Sequence, residues 1–438
     1  MTAELAVMNK KAVAIAADSA VTIDGDGTPK IFTSANKIFQ LSKYQPVGVM
    51  IYQDSSFLGV PWDTIIKLYR DTLGNTKKDH LKSYAQDFLS FLETSDELFT
   101  EEQKEKYLKR RVVSCYNQIV NDIEVKIKDL LQKKRKEKDD KQISISEIDK
   151  ITDSVIDEHY EIWKNAEEID SIKDNAKKHE ELKERYKDLI VKIKNILFDE
   201  YNITSAQSRK LTLIAYSLFT KFSDQYYSQY SGIVFAGYGD KEIFPSLVSY
   251  EIEGLILNIL KYRKIEDTQI TFSNRAAVFP FAQSEMVHTF MEGIEPSFMD
   301  SIIRDIANML SDISDVAYSN VKELESKKKR LYSNKFQKDL LDSFKSGVGS
   351  IHDYSRKKFT NPIIDIVSTL PKPELASMAE SLVNLTTLRR KISKQAETVG
   401  GPIDVAVISK GDGFIWIKRK HYFDKNLNHH FFDTYYDD

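Results

Sequence analysis

Residues 2–19 read TAELAVM (2–8), NKK (9–11) and AVAIAADS (12–19). Two apolar runs on either side of a short polar segment predict a β-hairpin whose sheet is covered on both faces. With a three-residue turn over 9–11, Met8 faces Ala12 and Thr2 lies opposite Asp18. The sequence therefore predicts a hydroxyl at the extreme start of the chain beside a carboxylate at the end of the partner strand.

Composition excludes several classes of protein. The 438 residues are 41% apolar and 29% charged, with a formal net charge of −3, so no global field indicates a nucleic-acid partner. The sequence contains no apolar run long enough to cross a membrane and no secretory signal pattern. Cys115 is the only cysteine, which rules out an intrachain disulfide. We therefore expect a cytoplasmic protein with no membrane or nucleic-acid partner.

The apolar patterning changes in blocks along the chain. Strand patterns, helical patterns, strands, helices and a final hairpin follow one another, which predicts an α+β fold of four layers (αββα), mainly antiparallel, with helical insertions. The predicted segments are the N-terminal half of the core (1–76), a charged helical insertion (77–204), the continued core (205–299), a helical insertion and loop (300–370), a C-terminal core helix and strands (371–425), and a tail (426–438).

Local signals predict finer features. Ser55 and Ser56 are expected to cap a helix that passes through Trp62, residues 270–281 are expected to form a strand, and 347–361 a loop. The basic runs 133–141 and 327–330 are interpreted as solvated helical surface. His429 and His430 are expected to pack at the periphery. No His or Cys spacing indicates a metal site, and the sequence predicts no cofactor.

Several pieces, in order, resemble a known family. They are AADS (16–19), NKI (36–38), PVGVM (46–50), GIVFAGYG (232–239) and VGGPIDVAV (399–407). In these pieces the chain resembles the proteasome β-type subunits and the bacterial HslV peptidase, within the N-terminal-nucleophile hydrolases. The resemblance covers the first 73 residues, the stretch from Ser205 to about Phe290, and the last quarter to Arg419.

The resemblance implies specific roles. Thr2 falls on the nucleophile once Met1 is removed, Asp18 on its acidic partner and Lys37 on the active-site lysine. Ser284 falls on the serine that follows the third inner strand. The resemblance further implies a polypeptide substrate, a homo-oligomer, and an ATPase or other protein partner at the helical insertions.

Three positions depart from the family pattern. Tyr52 stands where the family has its oxyanion-hole glycine, and only its backbone N–H remains available for that role. Ala396 and Val399 stand where the family has an Asp and a Ser, with Glu397 and Thr398 out of register.

The chemistry expected of these residues is that of an activated hydroxyl. A threonine hydroxyl needs a base, and an N-terminal threonine carries one in its own α-amine, with a reference pKa of about 8. A lysine cation nearby lowers the pKa of both groups, and Asp18 is expected to hold Lys37 charged and oriented. Each residue also has a structural interpretation: Asp18 as a turn residue, Lys37 as a strand-edge charge, and Ser284 as a helix N-cap.

The sequence leaves three functions open. The first is a threonine-dependent peptidase or amidase that hydrolyses peptide bonds with Thr2. The second is a catalytically inactive proteasome-like scaffold that acts through its helical insertions. The third is a small-molecule amidase on the same fold.

Overall fold

Strands and helices follow one another in blocks. The structure, a computed structural model, describes residues 3–23, 30–136, 143–173, 176–226, 229–319, 326–392 and 399–430. The strands within these ranges are β1 (Ala3–Asn9), β2 (Val13–Ala17), β3 (Val21–Ile23), β4 (Lys30–Phe32), β5 (Ile38–Gln40), β6 (Val47–Gln53), β7 (Ser56–Phe57), β8 (Val60–Pro61), β9 (Glu167–Glu168), β10 (Lys221–Phe222), β11 (Ser231–Gly237), β12 (Ser246–Ile256), β13 (Ile259–Gln269), β14 (Ala276–Ala282), β15 (Asp404–Ser409) and β16 (Gly413–Lys418).

Helices fill the blocks between these strands. Two of them begin with a complete capping box, Ser144 with Glu147 and Thr204 with Gln207, which satisfies free N–H groups of the first turn. The helices are α1 (Trp62–Leu73), α2 (Leu81–Thr94), α3 (Glu101–Lys136), α4 (Ile145–Asn165), α5 (Ala176–Leu197), α6 (Ser205–Thr220), α7 (Glu285–Glu292), α8 (Pro296–Ser319), α9 (Ser326–Ser355), α10 (Asn361–Thr369) and α11 (Lys372–Ile392).

Two five-stranded antiparallel sheets form the core. The first sheet has the order β14-β1-β2-β15-β16, and the second has the order β13-β12-β11-β6-β5. Side chains such as Met8 and Ile15 of the first sheet share one apolar cluster with Met50 and Val234 of the second. The two sheets therefore pack face to face, and the predicted α+β class with antiparallel sheets is confirmed.

Helices cover the outer faces of both sheets. Leu5 and Val7 lie in a cluster with Leu375 and Leu382 of α11, because successive residues of a strand point to opposite faces. On the other side, Phe235 packs with residues of α1 and α2. Strand β1 is consequently buried along its whole length.

The opening hairpin forms where the sequence predicts it, but its register is shifted by one residue. Met8 pairs with Val13, and Glu4 pairs with Ala17. The turn has two residues instead of three, because the N–H of Asn9 donates to the carbonyl of Ala12 (3.0 Å). The predicted pairing of Met8 with Ala12 is therefore wrong; Asp18 lies beside Ala3, and its predicted partner Thr2 lies outside the described residues.

The side chain of Asn9 explains this tighter turn. Its Nδ2 donates to the carbonyls of Val367 (2.8 Å) and Leu370 (2.9 Å) at the end of α10. Its Oδ1 accepts from the N–H of Lys11 (2.9 Å). Asn9 is thus held as the last strand residue by groups more than 350 positions away, which no local pattern reveals.

Three local predictions are wrong. Helix α1 begins after Pro61, and the expected caps at Ser55 and Ser56 precede or lie in the small hairpin β7–β8. The predicted strand 270–281 forms only as β14 (Ala276–Ala282), and the preceding strand β13 was missed because most of it is polar, as in KYRKIEDTQ (261–269). The expected loop 347–361 is helical, running from α9 through a π-helical turn into α10.

The helices α3 to α6 have a core of their own. Ile119 and Ile123 of α3 pack with residues of α4, α5 and α6 in one apolar cluster, as their helical spacing predicts. A network of buried polar side chains joins this helical region to the second sheet. This junction network consists of Tyr107 and Arg111 of α3, Glu253 of β12 and Lys261 of β13.

Candidate active site

Asp18 lies directly after β2 with its side chain fully buried. Its Oδ1 accepts from the N–H of Ala3 (3.0 Å) and from Nζ of Lys37 (2.6 Å). Its Oδ2 accepts from the N–H groups of Gly400 (2.8 Å) and Ala20 (3.3 Å). Four donors therefore hold this carboxylate in one position, and one of them belongs to the first described residue of the chain.

Lys37 lies just before β5, with 6% of its side chain exposed. Its carbonyl accepts from the N–H of Ile51 on β6 (2.9 Å), which fixes its backbone to the second sheet. The ion pair with Asp18 joins the two sheets at one end of the layer between them. The structure thus brings together two of the predicted site residues, with a buried cation placed next to the start of β1.

The loop before β15 forms the far wall of this site. The carbonyl of Gly400 accepts from the N–H of Ser19 (3.1 Å), in addition to its own bond to Asp18. Gly401 has φ = +79°, and a Cβ there would lie 2.8 Å from the Cβ of Thr33. A glycine is therefore required at this position. The side chain of Val399 packs in the apolar cluster beneath α11.

Tyr52 lies near the end of β6, and its ring stacks on Phe281 with centroids 5.7 Å apart. Its backbone N–H points toward β11, because N–H directions alternate along a strand and the N–H of Ile51 points to Lys37. The next N–H on the Lys37 side belongs to Gln53. Gln53 has φ = +70°, a conformation that is rare for residues other than glycine.

Ser284 follows β14, the strand that pairs with β1, so it lies at the same end of the first sheet as Asp18. It occupies the N-cap position of α7, but its side chain makes no capping hydrogen bond. The helix begins where the capping interpretation predicts, without the side-chain bond that this interpretation requires.

Several predicted residues lie outside the described part of the chain. These are Met1 and Thr2 at the start, and Ala396, Glu397 and Thr398 in the loop before Val399. Covalent connectivity alone relates Thr2 to the site, because its carbonyl carbon is bonded to the nitrogen of Ala3, whose N–H binds Asp18.

Glu4 is the site residue that the sequence interpretation missed. It is 2% exposed, and within the described residues neither of its carboxylate oxygens has a hydrogen-bond partner. Burial raises its pKa well above the usual range, the Lys37 charge acts in the opposite sense, and the Asp18 charge raises it further. The available signal was a single acidic residue inside an apolar strand that is buried on both faces. We call Glu4, Asp18 and Lys37 the N-terminal cluster.

Comparison of the chain with protein-family models and with curated proteins gives no match. Within the described ranges, no helix combines the length and apolar character needed to cross a bilayer. The same ranges hold no group of His, Cys, Asp and Glu side chains arranged to bind a metal ion.

Proposed function

We propose that the protein is a threonine-dependent N-terminal-nucleophile hydrolase, a peptidase or amidase of the proteasome-like type, with Thr2 as nucleophile after removal of Met1. The observation that carries this proposal is the buried Asp18–Lys37 pair bound to the N–H of Ala3, one residue after Thr2. Two face-to-face antiparallel sheets with helices on both outer faces support the corresponding four-layer sandwich.

In the proposed reaction, the hydroxyl oxygen of Thr2 attacks the carbonyl carbon of a peptide bond. The α-amine of Thr2 takes the hydroxyl proton and later gives it to the leaving amine. The Lys37 ammonium, oriented by Asp18, stabilises negative charge on the attacking oxygen. The resulting ester between substrate and Thr2 is then cleaved by water, which restores the hydroxyl.

The oxyanion of the tetrahedral intermediate needs a donor on the Lys37 side of β6. The N–H of Tyr52 points into the sheet, so we assign this role to the N–H of Gln53. The positive φ of Gln53 supports this assignment, because backbone strain of this kind concentrates at functional sites. A donor of this type contributes about 3 kcal/mol to transition-state stabilisation.

Hydrolysis of unfolded polypeptides and short amides by wild type, Thr2→Ala and Thr2→Ser tests the proposal. We expect wild type and Thr2→Ser to cleave, and Thr2→Ala to lose activity while keeping its fold. Cleavage by Thr2→Ala at the wild-type rate would contradict the proposal. A preference for short amides over polypeptides would identify a small-molecule amidase on the same fold.

A second candidate function is a non-catalytic scaffold. It is favoured by exposed apolar side chains on α8, where Phe298, Met309 and Ile313 are at least half exposed. Such a surface suits a second copy of the chain or a protein partner of the ATPase type. Light scattering, together with the hydrolysis assay, separates this function from the first, because a scaffold assembles without cleaving any substrate.

A further inference from the structure

Glu4 differs from the other acidic residue of the N-terminal cluster in its surroundings. Asp18 has four donors, whereas both carboxylate oxygens of Glu4 are buried with no hydrogen-bond partner in the part of the chain that the structure describes. Burying a charged carboxylate without a partner costs several kcal/mol or more, so such a group stays uncharged when it can. A carboxyl in this environment therefore carries a proton over a wider pH range than an exposed one.

The position of Glu4 follows from the alternation of β1. Ala6 and Met8 point into the layer between the sheets, so Glu4 points the same way. Its neighbours across the two strand pairs are Ala17 on β2 and Phe281 on β14. No cation lies beside it in these pairs, and both cross-strand neighbours are apolar.

Among the described residues, the titratable groups that interact with Glu4 are Asp18 after β2, Lys37 before β5 and Tyr52 on β6. Lys37 is the only cation among them, and its Nζ is bound to Asp18 at 2.6 Å. Ionised Glu4 would be a second anion competing for this ammonium group. When Glu4 is uncharged, Asp18 is the only one of these carboxylates that attracts the Lys37 ammonium group.

We propose that Glu4 is a positioning residue: its uncharged carboxyl keeps Lys37 on Asp18, and its ionisation shifts Lys37 away from Asp18. The inference rests on the proposed function, since the Asp18–Lys37 pair is the electrostatic part of that site. It deepens that function by assigning the cluster a pH-dependent state. Chemistry at Thr2 is then fastest while Glu4 keeps its proton.

Unfolding by urea across pH 5–9 tests the charge state. Because the pKa of Glu4 is raised on folding, the folded chain binds one more proton than the unfolded chain between the two pKa values. The contribution of Glu4 to folding stability is fully present below its unfolded pKa and is lost as pH rises toward its folded pKa. Between the two pKa values, the folding equilibrium constant falls by up to tenfold per pH unit. Glu4→Gln removes this decline.

Ser249→Ala is the matched control, because the hydroxyl of Ser249 is also buried on a strand without a partner but does not titrate in this range. We expect Ser249→Ala to keep the wild-type pH dependence and Glu4→Gln to lose part of it. Parallel curves for wild type and Glu4→Gln would overturn the inference.

The positioning role is measured on Lys37 itself. With ¹³Cε-labelled lysine, the Lys37 signal, assigned through Lys37→Arg, should shift with pH in wild type at the same midpoint as the stability change. In Glu4→Gln this step should be absent. If the Lys37 signal has the same pH dependence in wild type and in Glu4→Gln, the role of Glu4 is purely structural and the proposal is overturned. Both readouts are independent of hydrolysis, so they remain decisive if Thr2 proves inactive.

Discussion

The N-terminal cluster and the junction network each contain a buried lysine bound to a buried carboxylate. The pairs are Lys37–Asp18 at 2.6 Å and Lys261–Glu253 at 2.7 Å, with all four side chains at most 6% exposed. Their surroundings differ. Glu253 is held by side chains, with Arg111 at 3.0 Å and the hydroxyl of Tyr107 at 3.3 Å, whereas Asp18 is held mainly by backbone N–H groups.

This difference indicates that the junction network is structural, whereas the N-terminal cluster is a candidate reactive site. The side chains around Glu253 of β12 come from α3 and β13, so their contacts with this carboxylate tie the helical region to the sheet. Lys261 also donates to the carbonyl of Leu218, at the end of α6. The backbone donors around Asp18 come from the start of β1, from Ala20 just after Asp18, and from the loop before β15. These backbone groups fix the Asp18 carboxylate beside the first described residue, Ala3. Asp18 in turn holds the Lys37 ammonium at this end of the sheet, where it can stabilise negative charge on a neighbouring group.

Breaking the N-terminal pair should have the largest effect. Asp18→Ala leaves Lys37 buried without its carboxylate, and removing one partner of a buried pair costs about 3–5 kcal/mol. We expect this loss in urea unfolding, together with loss of hydrolysis in the folded fraction. Asp63→Ala is the control, since the exposed pair Asp63–Lys67 has a similar distance of 2.8 Å and is worth about 0.5 kcal/mol. Equal effects of the two substitutions would contradict the buried role of Asp18.

Breaking the junction pair should change stability without changing the chemistry. Glu253→Ala leaves Arg111 and Lys261 without their shared carboxylate, and we expect a loss of about 3 kcal/mol. An electrophile that reacts with both the α-amine and the hydroxyl of an N-terminal threonine can label Thr2 covalently. The rate of this labelling, measured on the folded fraction, should stay at the wild-type value. Loss of labelling in fully folded Glu253→Ala would show that the junction network and the N-terminal cluster are coupled, and would contradict a purely structural role of the junction network.

A smaller effect is expected at the far wall. Gly401→Ala forces a side chain into a left-handed backbone conformation and against Thr33, at a cost of about 1–3 kcal/mol. The matched control is Gly411→Ala, because a Cβ at Gly411 meets no atom within 4 Å. Unfolding by urea should separate the two variants. Slower labelling at Thr2 is also expected in Gly401→Ala, since the neighbouring Gly400 holds Asp18.

Much of this architecture can be predicted from the sequence. Apolar runs and their spacing predict the opening hairpin, β6, β11 and α11, because the residues that must be buried recur at the spacing of a strand or a helix. The order of the blocks predicts antiparallel sheets with helices around them. The pairing of Asp18 with Lys37 was also predicted, through a family resemblance and not through any local pattern.

Contacts between distant segments explain the register shift, the missed strand β13 and the missed burial of Glu4. The one-residue register shift depends on Asn9 reaching the end of α10, and the polar strand β13 is recognisable only through its pairing with β12. The burial of Glu4 depends on both sheets and cannot be seen from its charge alone. Roles assigned to Thr2 and Ser284 remain predictions.

Covalent labelling tests most directly whether a free Thr2 is an activated nucleophile. The wild-type chain is treated with an electrophile that must react with both the α-amine and the hydroxyl of an N-terminal threonine, and the adduct is mapped by mass spectrometry. We predict a chain lacking Met1, with one adduct on Thr2 that is absent from Thr2→Ala and forms more slowly in Lys37→Met. A folded chain that retains Met1, or that stays unmodified at Thr2, would contradict the role of Thr2 as nucleophile.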